Sequence, residues 1–189
     1  MRLFVAVKIP DEVRQSLEHF CREIKASTAL PKKVKWARPE NLHLTLKFFG
    51  EIEESRLEEL LTALSRSMGN REPFSATARG IGVFPENAPP RVLWAGVDDP
   101  EEGLKKLAGS IEQETVLAGF PPSDKPFSAH LTLARFPTVP GAGIKDEVLK
   151  RENSVFGEIR VRAVSLIQSR LEASGPVYAD LKEFFLHDR

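Results

Sequence analysis

Two copies of one tetrapeptide carry the residues best suited to chemistry. His43-Leu44-Thr45-Leu46 recurs letter for letter as His130-Leu131-Thr132-Leu133, one copy in each half of the 189-residue chain, and together they use two of its four histidines. Histidine can give or take a proton near neutral pH. Two imidazoles on opposite sides of one phosphorus could activate water and protonate the departing oxygen, each step typically worth about 10²- to 10⁴-fold. Threonine hydroxyls beside them could donate to non-bridging oxygens as charge builds there. A single H-x-T on a strand is ordinarily the wet face of a half-exposed sheet. Here the polar letters repeat as faithfully as the leucines, and that points to function.

The elements that must hold these residues follow from periodicity. Alternation with a β-branched threonine reads as a strand, with His and Thr on one face and the leucines on the other. By that alternation Lys47 joins the His43-Thr45 face and Phe48 the core, while Arg135 falls with Leu131 and Leu133 on the core face unless the strand bulges or ends first. Leu3–Ile9 reads as a buried strand closed by Pro10. A helix capped by Asp11 follows, with Val13, Leu17, Phe20, Cys21 and Ile24 as its apolar stripe. His19 lies on the solvated side of that helix. Ser55 and Glu58 form a capping-box pattern, and Asp99, Pro100 and Glu102 read as N-cap, N1 and N3 of a third helix ending near Gly119. Phe74–Val83, Val92–Val97, Glu158–Leu171 and Val177–Leu186 read as strands, the last two joined across Ser174-Gly175-Pro176, and a short helix is predicted over 145–150. Strand, helix, motif strand, helix, strand thus occurs about twice.

Composition narrows the function. Lys+Arg and Asp+Glu stand at 27 each, so no bulk basic field holds long nucleic acid by its backbone; any such partner would be held locally, at an end. The segment Lys32 to Arg38, with Trp36 inside it, could receive phosphates and a base. Cys21 is the single cysteine, which leaves no intrachain disulfide and suggests a reducing compartment. No apolar run suits a signal peptide or a membrane span, so a soluble cytoplasmic protein is expected. No Asp/Glu/His cluster has convincing ligand spacing, and neither metal nor other cofactor is expected.

With two H-x-T motifs, one per half, the chain resembles the two-histidine (2H) phosphoesterase superfamily. The contexts Asn41-Leu42-His43-Leu44-Thr45-Leu46-Lys47-Phe48 and Phe127-Ser128-Ala129-His130-Leu131-Thr132-Leu133-Ala134-Arg135 resemble its RNA 2′,3′-cyclic phosphodiesterase branch, historically called 2′-5′ RNA ligases. Support spans the chain: Leu3-Phe4-Val5-Ala6, Trp36, Phe84-Pro85, Val92-Leu93-Trp94, and Ser169, Leu171, Gly175 and Tyr178. Ala129 departs from the proline common before the second histidine, and Phe49 from a common leucine. The resemblance implies one α+β domain over 1–189, with two similar lobes, antiparallel sheets flanking a central cleft and helices outside. It further implies His43 and His130 as acid and base, taken as donor and acceptor respectively although the motifs are nearly symmetric. Thr45, Thr132 and Arg135 are implied phosphate contacts. Lys47, Phe48 and Trp36 are weaker candidates for touching substrate.

The expected activity is metal-independent opening of RNA 2′,3′-cyclic phosphate ends to a 2′-phosphomonoester, by a monomer acting on RNA 3′ ends or small cyclic nucleotides. The alternatives are action on 2′-5′ linkages, including ligation, or a nucleotide-binding module without turnover. Both histidines and both threonines being present argues against the last.

Overall fold

The leucines of the two motifs meet at the centre of the molecule. In this computed structural model, which describes residues 1–27, 33–138, 143–173 and 175–187, the first motif opens strand β3 (His43–Glu51) and the second opens β6 (His130–Arg135). Leu44 pairs with Leu131 across these antiparallel strands. Both side chains are fully buried, each contributing about 1.5–3 kcal/mol by removal from water.

Four-stranded antiparallel arrays spread from that junction. On one side β3 pairs with β1 (Arg2–Lys8), β1 with β8 (Ala163–Glu172) and β8 with β9 (Gly175–Phe185). On the other, β6 pairs with β5 (Val92–Asp98), β5 with β4 (Phe74–Phe84) and β4 with β7 (Val155–Val161). The sheet is a single curled surface in the order β7-β4-β5-β6-β3-β1-β8-β9. A short strand, β2 (Lys35–Trp36), pairs with the far end of β6, Lys35 opposite Arg135 and Trp36 opposite Ala134. It therefore occupies the edge of β6 beyond the junction with β3.

Helices α1 (Asp11–Ser27), α2 (Leu57–Met68), α3 (Gly103–Leu117) and α4 (Gly143–Lys150) supply the apolar side of the core. Val13, Leu17, Phe20 and Ile24 from α1, Leu60 and Leu64 from α2, and Leu104, Leu107 and Ile111 from α3 are all buried with the strand leucines. The helical and strand periods expected from the sequence thus meet in one core.

Three local expectations are corrected. The Ser55–Glu58 capping box does not form: a 3-10 turn (Glu54–Arg56) leads into α2, whose N-cap Arg56 makes no side-chain cap bond. Asp99 does cap α3, but from further upstream. Its carboxylate accepts the N–H groups of Gly103 (3.0 Å) and Leu104 (2.8 Å), because Glu102 turns left-handed (φ 55°) and the helix starts after it. The stretch Glu158–Leu171 is not one strand; it breaks at Arg162 into β7 and β8, which join opposite arrays. β4 likewise follows the first motif in sequence yet pairs beside β5. Each half of the chain therefore completes the other's sheet.

Candidate active site

Each motif histidine begins its strand, and the same short-range bond orients both. His43 Nδ1 lies 2.6 Å from the Asn41 carbonyl and His130 Nδ1 lies 2.8 Å from the Ser128 carbonyl, two residues upstream in each case. A carbonyl oxygen can only accept, so Nδ1 carries the proton. Nε2 is thereby left as the nitrogen that accepts or delivers a proton elsewhere. Asn41 is itself tied down, donating its Nδ2 to Pro176 O at 3.0 Å, which fastens the start of β3 to β9. One residue to either side of the Leu44–Leu131 pair stand His43 and Thr132, and Thr45 and His130. Each imidazole thus has the other motif's threonine as its cross-strand neighbour, all four half-buried on the face opposite the leucines.

Beyond the motifs both strands bulge at the same place. The β1 register passes from Ala6–Thr45 to Val5–Lys47, leaving Leu46 unpaired; the β5 register passes from Trp94–Thr132 to Leu93–Ala134, leaving Leu133 unpaired. One extra residue reverses every side chain after it. Lys47 is consequently 3% exposed and Phe48 is 48% exposed, which overturns the assignment of Lys47 to the histidine face and Phe48 to the core. On β6 the bulge sends Ala134 into the core and returns Arg135, exposed, to the side of His130 and Thr132. Arg135 acts electrostatically on Tyr178, which contacts His43. The simple alternation that put Arg135 in the core fails for this reason.

Lys47 has a different occupation. Its Nζ donates to Thr115 Oγ1 (2.9 Å) and pairs with Glu112 Oε2 (2.9 Å), both on α3. Glu112 also accepts the N–H and O–H of Ser123 (2.8 and 2.7 Å), in the loop that leads to His130. Burial alone raises the Glu112 pKa, but Ser123 and Lys47 outweigh it and hold the carboxyl below its usual range. Trp36 is also turned away from the histidines: it shares Ala134's side, packs on the core and carries Lys25 Nζ 4.5 Å over its ring. Lys35, its neighbour, lies opposite Arg135 and so shares that residue's face. Nothing in the sequence singled out Lys35 from the surrounding basic segment, because its partner strand was unknown; Lys32 falls outside the described residues.

The two histidines differ in surroundings. His43 lies against Phe4 (ring centroids 4.7 Å) and Tyr178 (5.3 Å, edge-on). Burial there pushes its pKa down, its backbone bond to Asn41 partly opposes this, and repulsion from His130 adds to it. Phe4 also stacks on Phe48 at 6.4 Å, with the Arg2 guanidinium 5.0 Å from the Phe48 ring, so an aromatic shelf adjoins His43. His130 instead meets the edge of Phe84 at 5.4 Å. Phe84 packs on Trp94 at 5.0 Å, and a Cβ on Gly82 would lie 2.1 Å from the Trp94 ring, so glycine is what lets that ring cross β4. His19 sits exposed on α1 beside Glu23. Burial pushes the Cys21 thiol up to about 12, which removes it as a thiolate nucleophile. Among the described residues no group of three or more His, Cys, Asp or Glu is placed to hold a metal ion, and no helix is long and apolar enough to cross a membrane.

A curled antiparallel sheet with paired H-x-T strands at its centre and helices outside is the architecture of a two-histidine phosphoesterase. A family model described as "LigT like Phosphoesterase" matches residues 7–94 and 96–178, and the chain belongs to that family. It is 39% identical over 184 residues to an RNA 2′,3′-cyclic phosphodiesterase of Archaeoglobus fulgidus, covering 97% of this chain and 99% of the relative. A crystal structure of a Thermus thermophilus protein superposes with a TM-score of 0.79 at 34% identity, covering 98% of each chain. The E. coli LigT structure complexed with 3′-AMP gives 0.76 at 26% identity, covering 99% of this chain and 98% of that one.

Proposed function

We infer that this chain hydrolyses RNA 2′,3′-cyclic phosphate ends, as its relatives' names describe. The observation that carries the mechanism is the pair of histidines, each fixed through Nδ1 and each with a threonine across the strand. Water attacks phosphorus as its proton passes to Nε2 of one histidine. The P–O3′ bond breaks and the other histidine protonates O3′, leaving a 3′-hydroxyl and a 2′-phosphate. Thr45, Thr132 and Arg135 donate to the non-bridging oxygens, whose charge grows in the transition state. No metal is required for these steps. Phe48, exposed beside Phe4, offers a stacking surface to the terminal base.

His130 as acceptor and His43 as donor is the assignment carried by family likeness. Before substrate binds, burial favours neutral His43, which runs against a donor role. A bound phosphodiester supplies the negative charge that raises the pKa of both imidazoles, and so restores a protonated donor. The test is a short RNA ending in a 2′,3′-cyclic phosphate, incubated without ATP and with chelator. Product mass should rise by one water, and a nuclease that distinguishes 2′- from 3′-phosphates should report the 2′-isomer. Activity that vanishes on chelation and returns with a divalent ion contradicts the two-histidine route.

A further inference from the structure

We propose that Lys35 takes the phosphate one nucleotide upstream of the reacting one, and so makes the protein select polynucleotide ends over nucleoside 2′,3′-cyclic phosphates. This rests on the functional reading above and adds to it a residue that discriminates between RNA ends and mononucleotides.

The argument starts from the β2–β6 register. Lys35 and Arg135 are directly opposite, hence on one face, and both are exposed. Like charges in that position repel and destabilise the strand pair. Some cations of this molecule are neutralised, Lys8 by Asp180 and Glu183, Lys47 by Glu112 and Arg56 by Glu59; what sets Lys35 and Arg135 apart is that two cations stand directly opposite each other beside the histidine strand. Neither Lys35 nor Arg135 has an acidic partner within ion-pair distance among the described residues. β2 is nevertheless held firmly in place, since Ala37 N–H donates to the Leu133 carbonyl at 2.8 Å, at the bulge itself. An uncompensated pair of cations on a fixed scaffold is a seat for an anion.

Position says which anion. The face positions from Thr132 to Arg135 span about 7–10 Å at strand rise, and Lys35 lies one further strand spacing, about 4.8 Å, to the side. A long arginine reaches back from there to the reacting phosphate. The lysine, displaced outward, is left for the next phosphate along a single strand. A nucleoside 2′,3′-cyclic phosphate has nothing to place there.

Kinetics on two substrates test the proposal: a nucleoside 2′,3′-cyclic phosphate, and a dinucleotide ending in that same group. Lys35→Met should lower the ratio of kcat/KM, dinucleotide over mononucleotide, about tenfold, the size expected for one hydrogen bond to a charged group. The loss should appear in KM, and the salt dependence of KM for the dinucleotide should flatten by part of one phosphate contact. Lys35→Arg should keep most of the ratio. Because Lys35 is exposed and faces a like charge, a Tm that is unchanged or slightly raised is expected and excludes misfolding. If the ratio is the same in wild type and Lys35→Met, the upstream seat is wrong while the activity stands. If wild type opens neither substrate, the functional reading itself fails and the seat falls with it.

Discussion

The two motif strands are alike for four residues and then part company. Both begin with a histidine bonded to the carbonyl two residues before it, both carry threonine on the same face, and both bulge at the second leucine. After the bulge, β3 presents Lys47 to the core and Phe48 to the cleft side, whereas β6 presents Ala134 and Arg135. The backbone device is common, so what differs is only what it delivers: an aromatic surface on one strand and a cation on the other. The environments of the histidines divide the same way, Phe4 and Tyr178 around His43 against Phe84 beside His130. A near-symmetric frame thereby presents two unlike surfaces, an arrangement that suits the proposed substrate with a base to stack and a phosphate to neutralise.

Removing what the strands share should have the largest effect. His43→Ala and His130→Ala are each expected to lower kcat/KM by about 10²- to 10⁴-fold with the fold intact. The double variant should cost little more than the worse single one, since the two act as a unit. Single-turnover rates with circular dichroism as a folding control check this, and full activity in either single variant removes the mechanism. A substrate whose leaving group needs no proton should rescue only the variant lacking the donor, which identifies it.

The buried residue that distinguishes β3 comes next. Lys47→Ala should cost about 2–4 kcal/mol, because it leaves a core void and strips Glu112 of its cation; Lys47→Met, which refills the volume, should cost less. Glu112 is held below its unfolded pKa of about 4.3. Its share of stability is therefore present above that pH and is lost as pH falls through the lower folded value. Urea midpoints measured from pH 7 down to pH 3 should show a shallower acid decline in Lys47→Met than in wild type. Equal slopes would mean that Ser123 alone sets the Glu112 pKa.

Phe48→Ala should raise KM for an RNA end by about 5- to 100-fold, the span of one base–aromatic stack. Trp36→Ala should change KM far less, as its ring faces the core and Lys25. If Trp36→Ala proves the more damaging for binding, the shelf is misplaced.

The smallest effect is on proton affinity. His43 should titrate below the ordinary histidine value in NMR of its imidazole C–H signals, and Phe4→Ala, which admits water, should move that midpoint up. Opposite movement would mean that burial against Phe4 is not the cause.

Much of this site could be read without coordinates. Identical H-x-T strands, leucines on their reverse face and amphipathic helices are all local periodicities, and periodicity survives in the linear chain. The same information marked Arg135 as needing a bulge, but it could not say whether one existed. A bulge is a mismatch between two strands, so the exchange of Lys47 and Phe48 depends on β1, and the return of Arg135 depends on β5. The placement of Lys35 beside Arg135, and of Trp36 against Ala134, depends likewise on β2 finding the edge of β6. The break at Arg162 that sends β7 and β8 to opposite arrays is invisible in a continuous apolar pattern. Local sequence determined which residues could do chemistry; strand pairing across long separations decided which of them face it, because a one-residue change of register reverses a side chain while leaving composition and spacing untouched.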